Sequence, residues 1–107
     1  MKNIAIRYFN AFENKDLSSI RELLDKNVEL RDWDIEATGI DSVVAATNNI
    51  FDSVECISLE MINIFHDRNF VIGEMKITIN KANSIRVVDI IEFNSLCKIC
   101  SIRAYKG

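Results

Sequence analysis

The chain contains no proline, and only three of its 107 residues are glycine. Linkers and tandem domains are therefore not expected. Three cysteines, an odd number, do not make a disulfide framework, which points to a reduced, cytoplasmic setting. Thirteen Lys and Arg residues are scattered singly against sixteen Asp and Glu, a net charge of −3. Without a basic cluster, nucleic acid is not an expected partner. No apolar run approaches the ~20 residues that span a bilayer, so no membrane partner is expected. The opening MKNIAIRYFNAF carries Asn3, Arg7 and Asn10 where a signal peptide would run apolar. There is no glycine-rich phosphate loop and no nucleophile elbow. Cys97 and Cys100 form a lone CxxC pair. Read on a strand, the two point to opposite faces and share no ligand. His66 falls in an expected hairpin turn and reads as solvated, so no metal site is expected.

What is present is core material. Hydrophobic residues make up 49% of the chain and charged residues 27%. A chain of this length fits one domain, residues 1–107, burying roughly two-thirds of its unfolded surface. Ile4, Tyr8 and Phe12 recur at four-residue spacing, with Ala5, Phe9 and Ala11 widening the stripe, so residues 3–14 read as an amphipathic helix. Asn14-Lys15-Asp16 breaks it. Asp16 is a good N-cap for a second helix with Leu17, Ile20, Leu23 and Leu24 on its apolar side, ending at Lys26-Asn27. Val28 to Asp32 reads as a short strand. Gly39 precedes a third helix, which Asp41 could cap, with Ile40, Val43, Val44, Thr47, Ile50 and Phe51 along its face. Residues 55–66, 70–80, 84–93 and 97–105 read as strands separated by polar turns. Val71, Gly73, Met75, Ile77 and Ile79 alternate with polar residues, the mark of a half-buried antiparallel strand. Helices followed by a strand meander predict an α+β fold, with the helices on one face of a curved, mostly antiparallel sheet.

Three places could carry chemistry. Asp89 sits within Val87-Val88-Asp89-Ile90-Ile91 and shares a strand face with Val87, Ile91 and Phe93. A carboxylate in an apolar interior relieves its cost by taking up a proton. Pairing with a buried arginine such as Arg103, or a solvent-facing side, is the alternative. Asp32, in Arg31-Asp32-Trp33-Asp34, is either a base at a cavity mouth or part of a solvated acidic loop. Trp33, the only tryptophan, either lines a pocket or packs under that loop. Tyr8, on the inner stripe of the first helix, is either core or a donor at the edge of a ligand site.

The layout resembles the nuclear transport factor 2-like superfamily over essentially the whole chain. The resemblance rests on the helix, Asn14-Lys15-Asp16-Leu17, the short helix, the strand reaching Asp32, Gly39-Ile40-Asp41, and four strands ending Ser101-Ile102-Arg103-Ala104-Tyr105. It implies a cone-shaped fold: three N-terminal helices in a strongly bent sheet that encloses a pocket. Within the superfamily the sequence is most similar to the ketosteroid isomerases and the SnoaL-like polyketide cyclases. Arg7-Tyr8 resembles the Arg-Tyr of the isomerases' first helix, whose tyrosine donates a hydrogen bond to the substrate oxygen. Asp32, 24 positions after Tyr8, falls where that family keeps its proton-shuttling base. The stretch from Val88 to Asn94 resembles the strand carrying a second, protonated donor, here Asp89. Trp33 stands where the family usually has proline, and the loop from Asp32 to Gly39 is shorter by a couple of residues.

The resemblance implies a cofactor-independent proton-transfer enzyme that isomerises or cyclises a small apolar carbonyl substrate through an enolate. Asp32 would be the ionised base, and Tyr8 and Asp89 the oxyanion donors. Expected pocket walls are Phe12, Trp33, Val43, Met61, Met75, Val87, Ile91 and Ile102. A non-catalytic ligand-binding or dimerisation module on the same fold is the alternative. A homodimer is expected through the outer sheet face, where Val88, Ile90, Ile99 and Tyr105 lie between Arg86, Glu92 and Arg103.

Overall fold

A computed structural model describes residues 1–107. Helix α1 (Lys2–Glu13) buries Ala5, Tyr8, Phe9 and Ala11 on one face, as the stripe predicts. Lys15, with a left-handed backbone (φ 55°), breaks the chain direction. Its ammonium donates to the carbonyls of Phe51 and Val54, so one side chain both marks a turn and ties the end of a distant helix. Helix α2 (Leu17–Leu23) starts at Asp16, whose carboxylate accepts from the Ser19 amide at 3.1 Å.

Here the structure corrects the expected boundary. The helix stops at Leu23, and strand β1 (Leu24–Arg31) begins at once, with Leu24 extended and paired to Ile99. Lys26 and Asn27 lie in an irregular part of that strand. Asp25 accepts from the Asn27 amide at 2.9 Å and from the Asn94 side chain at 3.1 Å, offering the backbone an alternative to the helical ladder. A short strand β2 (Glu36–Thr38), absent from the sequence reading, folds back on β1 with Leu30 opposite Ala37. Helix α3 (Ile40–Ser53) then starts from Gly39, whose φ of 89° suits glycine. Asp41 is not its cap. It lies inside the first turn and pairs with Arg21 of α2.

The remaining strands are β3 (Ile57–Asp67), β4 (Phe70–Ile79), β5 (Asn83–Phe93) and β6 (Ile99–Lys106). They form a meander, and β6 then runs parallel to β1, giving one six-stranded mixed sheet in the order β2-β1-β6-β5-β4-β3. Register shifts interrupt β3 against β4, β5 against β6 and β1 against β6; such bulges bend and twist a sheet. The three helices pack on the concave side, α1 against β3 and α3 against β1 and β2. This is the expected α+β cone.

Two sheet details depart from the sequence reading. Cys97 is not on a strand; it occupies the β5–β6 turn with φ 60°. There the Asn94 carboxamide accepts from the amides of Leu96 and Lys98 at 2.9 and 3.0 Å. Ile99 is not on the outer face. Phe93 opposes Ile99 while Glu92 opposes Ser101, so Cys100 is an extra residue that resets the alternation and turns Ile99 fully into the core.

Candidate functional site

The helices do not fill the cone. A cavity of about 140 Å³ remains between α1, α3 and the inner sheet face. Of its 17 lining residues 14 are hydrophobic, so the few polar groups among them stand out. They are Asp32, Asp89 and Thr47, to which Tyr8, itself among the hydrophobic residues, adds a hydroxyl.

Each reaches the cavity for a local reason. Tyr8 lies on the buried stripe of α1, its ring edge-on to Phe9 with centroids 5.6 Å apart. Asp32 directly follows β1, two positions after the buried Leu30 and four after Val28, so it keeps the inward direction of that strand. Its side chain is fixed by the tight turn into β2: one carboxylate oxygen, Oδ1, accepts from the amides of Asp34 at 2.7 Å and Ile35 at 2.6 Å. The other oxygen has no protein partner and is free for a ligand or a proton. Asp89 occupies the middle of β5, opposite Gly73 on β4 and Ala104 on β6, and is 9% exposed. Gly73 carries no Cβ because the ring of Phe9 lies there; a Cβ would stand 3.0 Å from its Cζ.

Asp89 makes neither a salt bridge nor a hydrogen bond within the protein. Arg103 faces the other side of the sheet, 3.9 Å from Glu92. No buried side-chain oxygen or nitrogen is sealed away without a partner, so the unpartnered Tyr8 hydroxyl and Asp89 carboxyl open into the cavity. Burial first, then the nearby Asp32 charge, push the Asp89 carboxyl up to about 7. Burial and the charges of Asp89 and Asp32 push the Tyr8 hydroxyl above the usual phenol range, so it remains a donor. The cavity thus presents a fixed carboxylate at the rim and, in an apolar wall, the Tyr8 hydroxyl and an Asp89 carboxyl that donates below about pH 7.

Phe12, Trp33, Met75, Val87 and Ile102 line the cavity as expected. Trp33 sits at the mouth, 42% exposed, with the Lys106 ammonium 5.6 Å from its ring centre. Val43, Met61 and Ile91 do not line it. Val43 and Ile91 are buried in the helix–sheet core, and Met61 lies beside the β3 bulge, half-exposed. The sequence reading missed other wall residues, chiefly Phe9, Ile77, Ile79 and Ile85. Their signal was the same alternation: Ile77 and Ile79 follow Met75 at even spacing, and Ile85 precedes Val87.

Comparison with known proteins agrees with this architecture. An isomerase of the SnoaL-like family, provisionally assigned, from Agrobacterium tumefaciens superimposes with a TM-score of 0.85 at 14% identity, covering 98% of this chain and 95% of that one. A provisionally assigned SnoaL-like polyketide cyclase from Shewanella denitrificans gives 0.87 at 12% identity, covering 98% and 88%. An NTF2-like protein of unknown function from Cytophaga hutchinsonii gives 0.83 at 12% identity, covering 100% and 90%. At these identities the likeness is one of fold. A search of curated proteins gave no match. The model of the SnoaL-like domain matches residues 5–102, and on that match the chain belongs to the SnoaL-like domain family, within the nuclear transport factor 2-like fold.

Proposed function

We propose that the protein is a cofactor-independent proton-transfer enzyme acting on a small apolar carbonyl compound. One observation carries this reading: an unpaired, protonatable Asp89 and an unpartnered Tyr8 hydroxyl share a single apolar cavity with the Asp32 carboxylate. A substrate carbonyl oxygen accepts hydrogen bonds from the Tyr8 hydroxyl and the neutral Asp89 carboxyl. Asp32 takes the proton from the carbon alpha to that carbonyl, and the C–H electron pair moves into an enolate. The two donors stabilise the negative charge that collects on oxygen, in a cavity with a mostly apolar lining. For an isomerisation, Asp32 returns the same proton to the gamma carbon and the double bond becomes conjugated. For a cyclisation, the enolate carbon attacks a second carbonyl of the same molecule. The proton leaves and returns through Asp32, so the cycle closes without a cofactor.

The names of the isomerase- and cyclase-assigned neighbours are in keeping with enolate chemistry. The test is conversion of 3-cyclohexen-1-one, and of a Δ5-3-ketosteroid, to the conjugated enone, followed by ultraviolet absorbance. Turnover that disappears in Asp32→Ala supports the reading. No turnover of any β,γ-unsaturated ketone and no alpha-proton exchange in D₂O, or an unchanged rate in Asp32→Ala, refutes it.

The proposed setting is the cytoplasm, which keeps the three free thiols reduced. No helix is long and apolar enough to cross a membrane. We also propose that two copies pair through the outer sheet face, where Val88, Ile90 and the exposed Tyr105 stand among Arg86, Glu92 and Arg103. Sedimentation at micromolar concentration should give a dimer; a monomer throughout refutes the pairing.

A further inference from the structure

The fourth polar group of the cavity has no part in the proton transfer. Thr47, on α3, is buried to 2% exposure in the wall that α3 contributes. Its hydroxyl proton is committed: Oγ1 donates to the Val43 carbonyl at 2.8 Å. With that proton committed, the only hydrogen bond the Thr47 oxygen could add is one it accepts. Tyr8 and neutral Asp89 offer protons from other walls, α1 and β5. The polar lining is therefore mixed, with donors for a carbonyl on α1 and β5, the Asp32 carboxylate at the rim, and Thr47 on α3.

Size sets a second limit. A cavity of about 140 Å³ compares with the roughly 150 Å³ apolar cavity that accepts one benzene ring. A single six-membered ring fills it, and a fused four-ring skeleton has room for its first ring only. At the mouth stands Trp33, with the Lys106 ammonium 5.6 Å from its ring centre.

We infer that the site selects a one-ring carbonyl compound carrying a hydroxyl or N–H donor away from its carbonyl, and that Thr47 is the residue that reads that donor. The carbonyl lies toward Tyr8 and Asp89, the ring fills the apolar middle, and the distal donor meets the Thr47 oxygen. This rests on the proton-transfer reading only for which end of the ligand faces Tyr8 and Asp89. Thr47 is a specificity residue and touches no proton that moves.

The experiment is equilibrium binding, read by quenching of the single tryptophan, Trp33, at the mouth. The probes are acetophenone, 4-hydroxyacetophenone and a Δ4-3-ketosteroid. The unmodified protein should bind 4-hydroxyacetophenone about tenfold more tightly than acetophenone, the worth of one neutral hydrogen bond. Both should bind more tightly than the steroid. Thr47→Val, which keeps the shape, should remove the tenfold preference and leave acetophenone binding unchanged. Thr47→Ser should restore the preference, and thermal melts establish that both variants fold. Equal binding of the two acetophenones, a preference that survives Thr47→Val, or tighter binding of the steroid would each overturn the inference. Because binding needs no turnover, the outcomes separate: Asp32→Asn should leave the preference intact, and proton transfer can fail while the Thr47 contact stands.

Discussion

The two aspartates of the cavity are the same residue type in opposite surroundings. Asp89 is held by a regular strand, in the middle of the sheet, with apolar neighbours and no hydrogen-bond partner. Asp32 is held by a tight turn at a strand end, half-exposed, with two backbone amides fixing one of its oxygens. The wall makes a carboxyl hold its proton; the rim leaves a carboxylate oxygen fixed and ready to take one. Position along a strand, and not residue chemistry, separates the proposed acid from the proposed base.

The comparison breaks most severely at the base. Asp32→Asn keeps the shape and the turn's acceptor oxygen but cannot take a proton. Turnover of a β,γ-unsaturated ketone should fall by about 10²- to 10⁴-fold, with thermal stability little changed. A rate within threefold of the parent's would make the rim carboxylate a bystander.

Next comes the wall. Removing one oxyanion donor, by Tyr8→Phe or Asp89→Leu, should lower kcat by about 10²- to 10³-fold. Asp89 also makes the rate depend on pH. Its carboxyl donates only while protonated, so the rate should decline as pH rises through about 7. The parent enzyme's decline should be absent from Asp89→Asn, whose amide remains a donor at any pH. A decline that persists in Asp89→Asn assigns it to another group.

The same proton governs stability. The Asp89 carboxyl stands at about 7 in the fold and near 3.8 in the unfolded chain. The folded state therefore holds this proton more tightly. The stability it provides is fully present below about pH 4 and is lost as pH rises through about 7. The loss amounts to at most roughly 4 kcal/mol, and less to the extent that cavity water solvates the anion. Urea melts at pH 4.5, 6 and 8 should show the parent losing more stability across that range than Asp89→Asn. Parallel curves would contradict a buried, uncompensated Asp89.

Much of this wall was legible in the sequence because strands and helices count residues. Spacing of four placed Ile4, Tyr8 and Phe12 on one face of α1, and spacing of two placed Val87, Asp89, Ile91 and Phe93 together on β5. That counting also shows why Arg103 does not neutralise Asp89: it lies opposite Ile90, on the other face. It failed where the period was interrupted. The extra residue at Cys100 inverted Ile99, and Asp25 ended α2 a turn early. The three residues of β2 are too few to show a period. Separating cavity lining from solid core was beyond it too. Val43 and Thr47 share the face of α3, yet Thr47 lines the void and Val43 is buried in the core.

Packing gives the next smaller effect. Gly73 lies opposite Asp89 and leaves the space that Phe9 fills. In Gly73→Ala the new Cβ would sit 3.0 and 3.2 Å from two carbons of the Phe9 ring. The ring must shift, at a cost of about 1–3 kcal/mol, and Phe9 is itself cavity wall. Lower thermal stability together with weaker binding is expected; unchanged stability would show that Phe9 moves freely.

The rim should be far more forgiving, which sharpens the contrast at its small end. The Lys106 ammonium over Trp33 is a solvent-facing cation–π contact, 5.6 Å from the ring centre. Such contacts contribute about 0.5–1 kcal/mol when exposed. Lys106→Ala should therefore change ligand affinity by no more than about fivefold and leave the melting temperature within experimental error. The pH profile set by Asp89 should be untouched, since no Lys106 charge enters the balance that raises that carboxyl. A larger loss, or a displaced pH profile, would mean that the mouth and the wall are coupled and that Trp33 helps hold water away from Asp89. The cavity would then be one electrostatic unit, and the division between rim and wall would lie further out than the two aspartates place it.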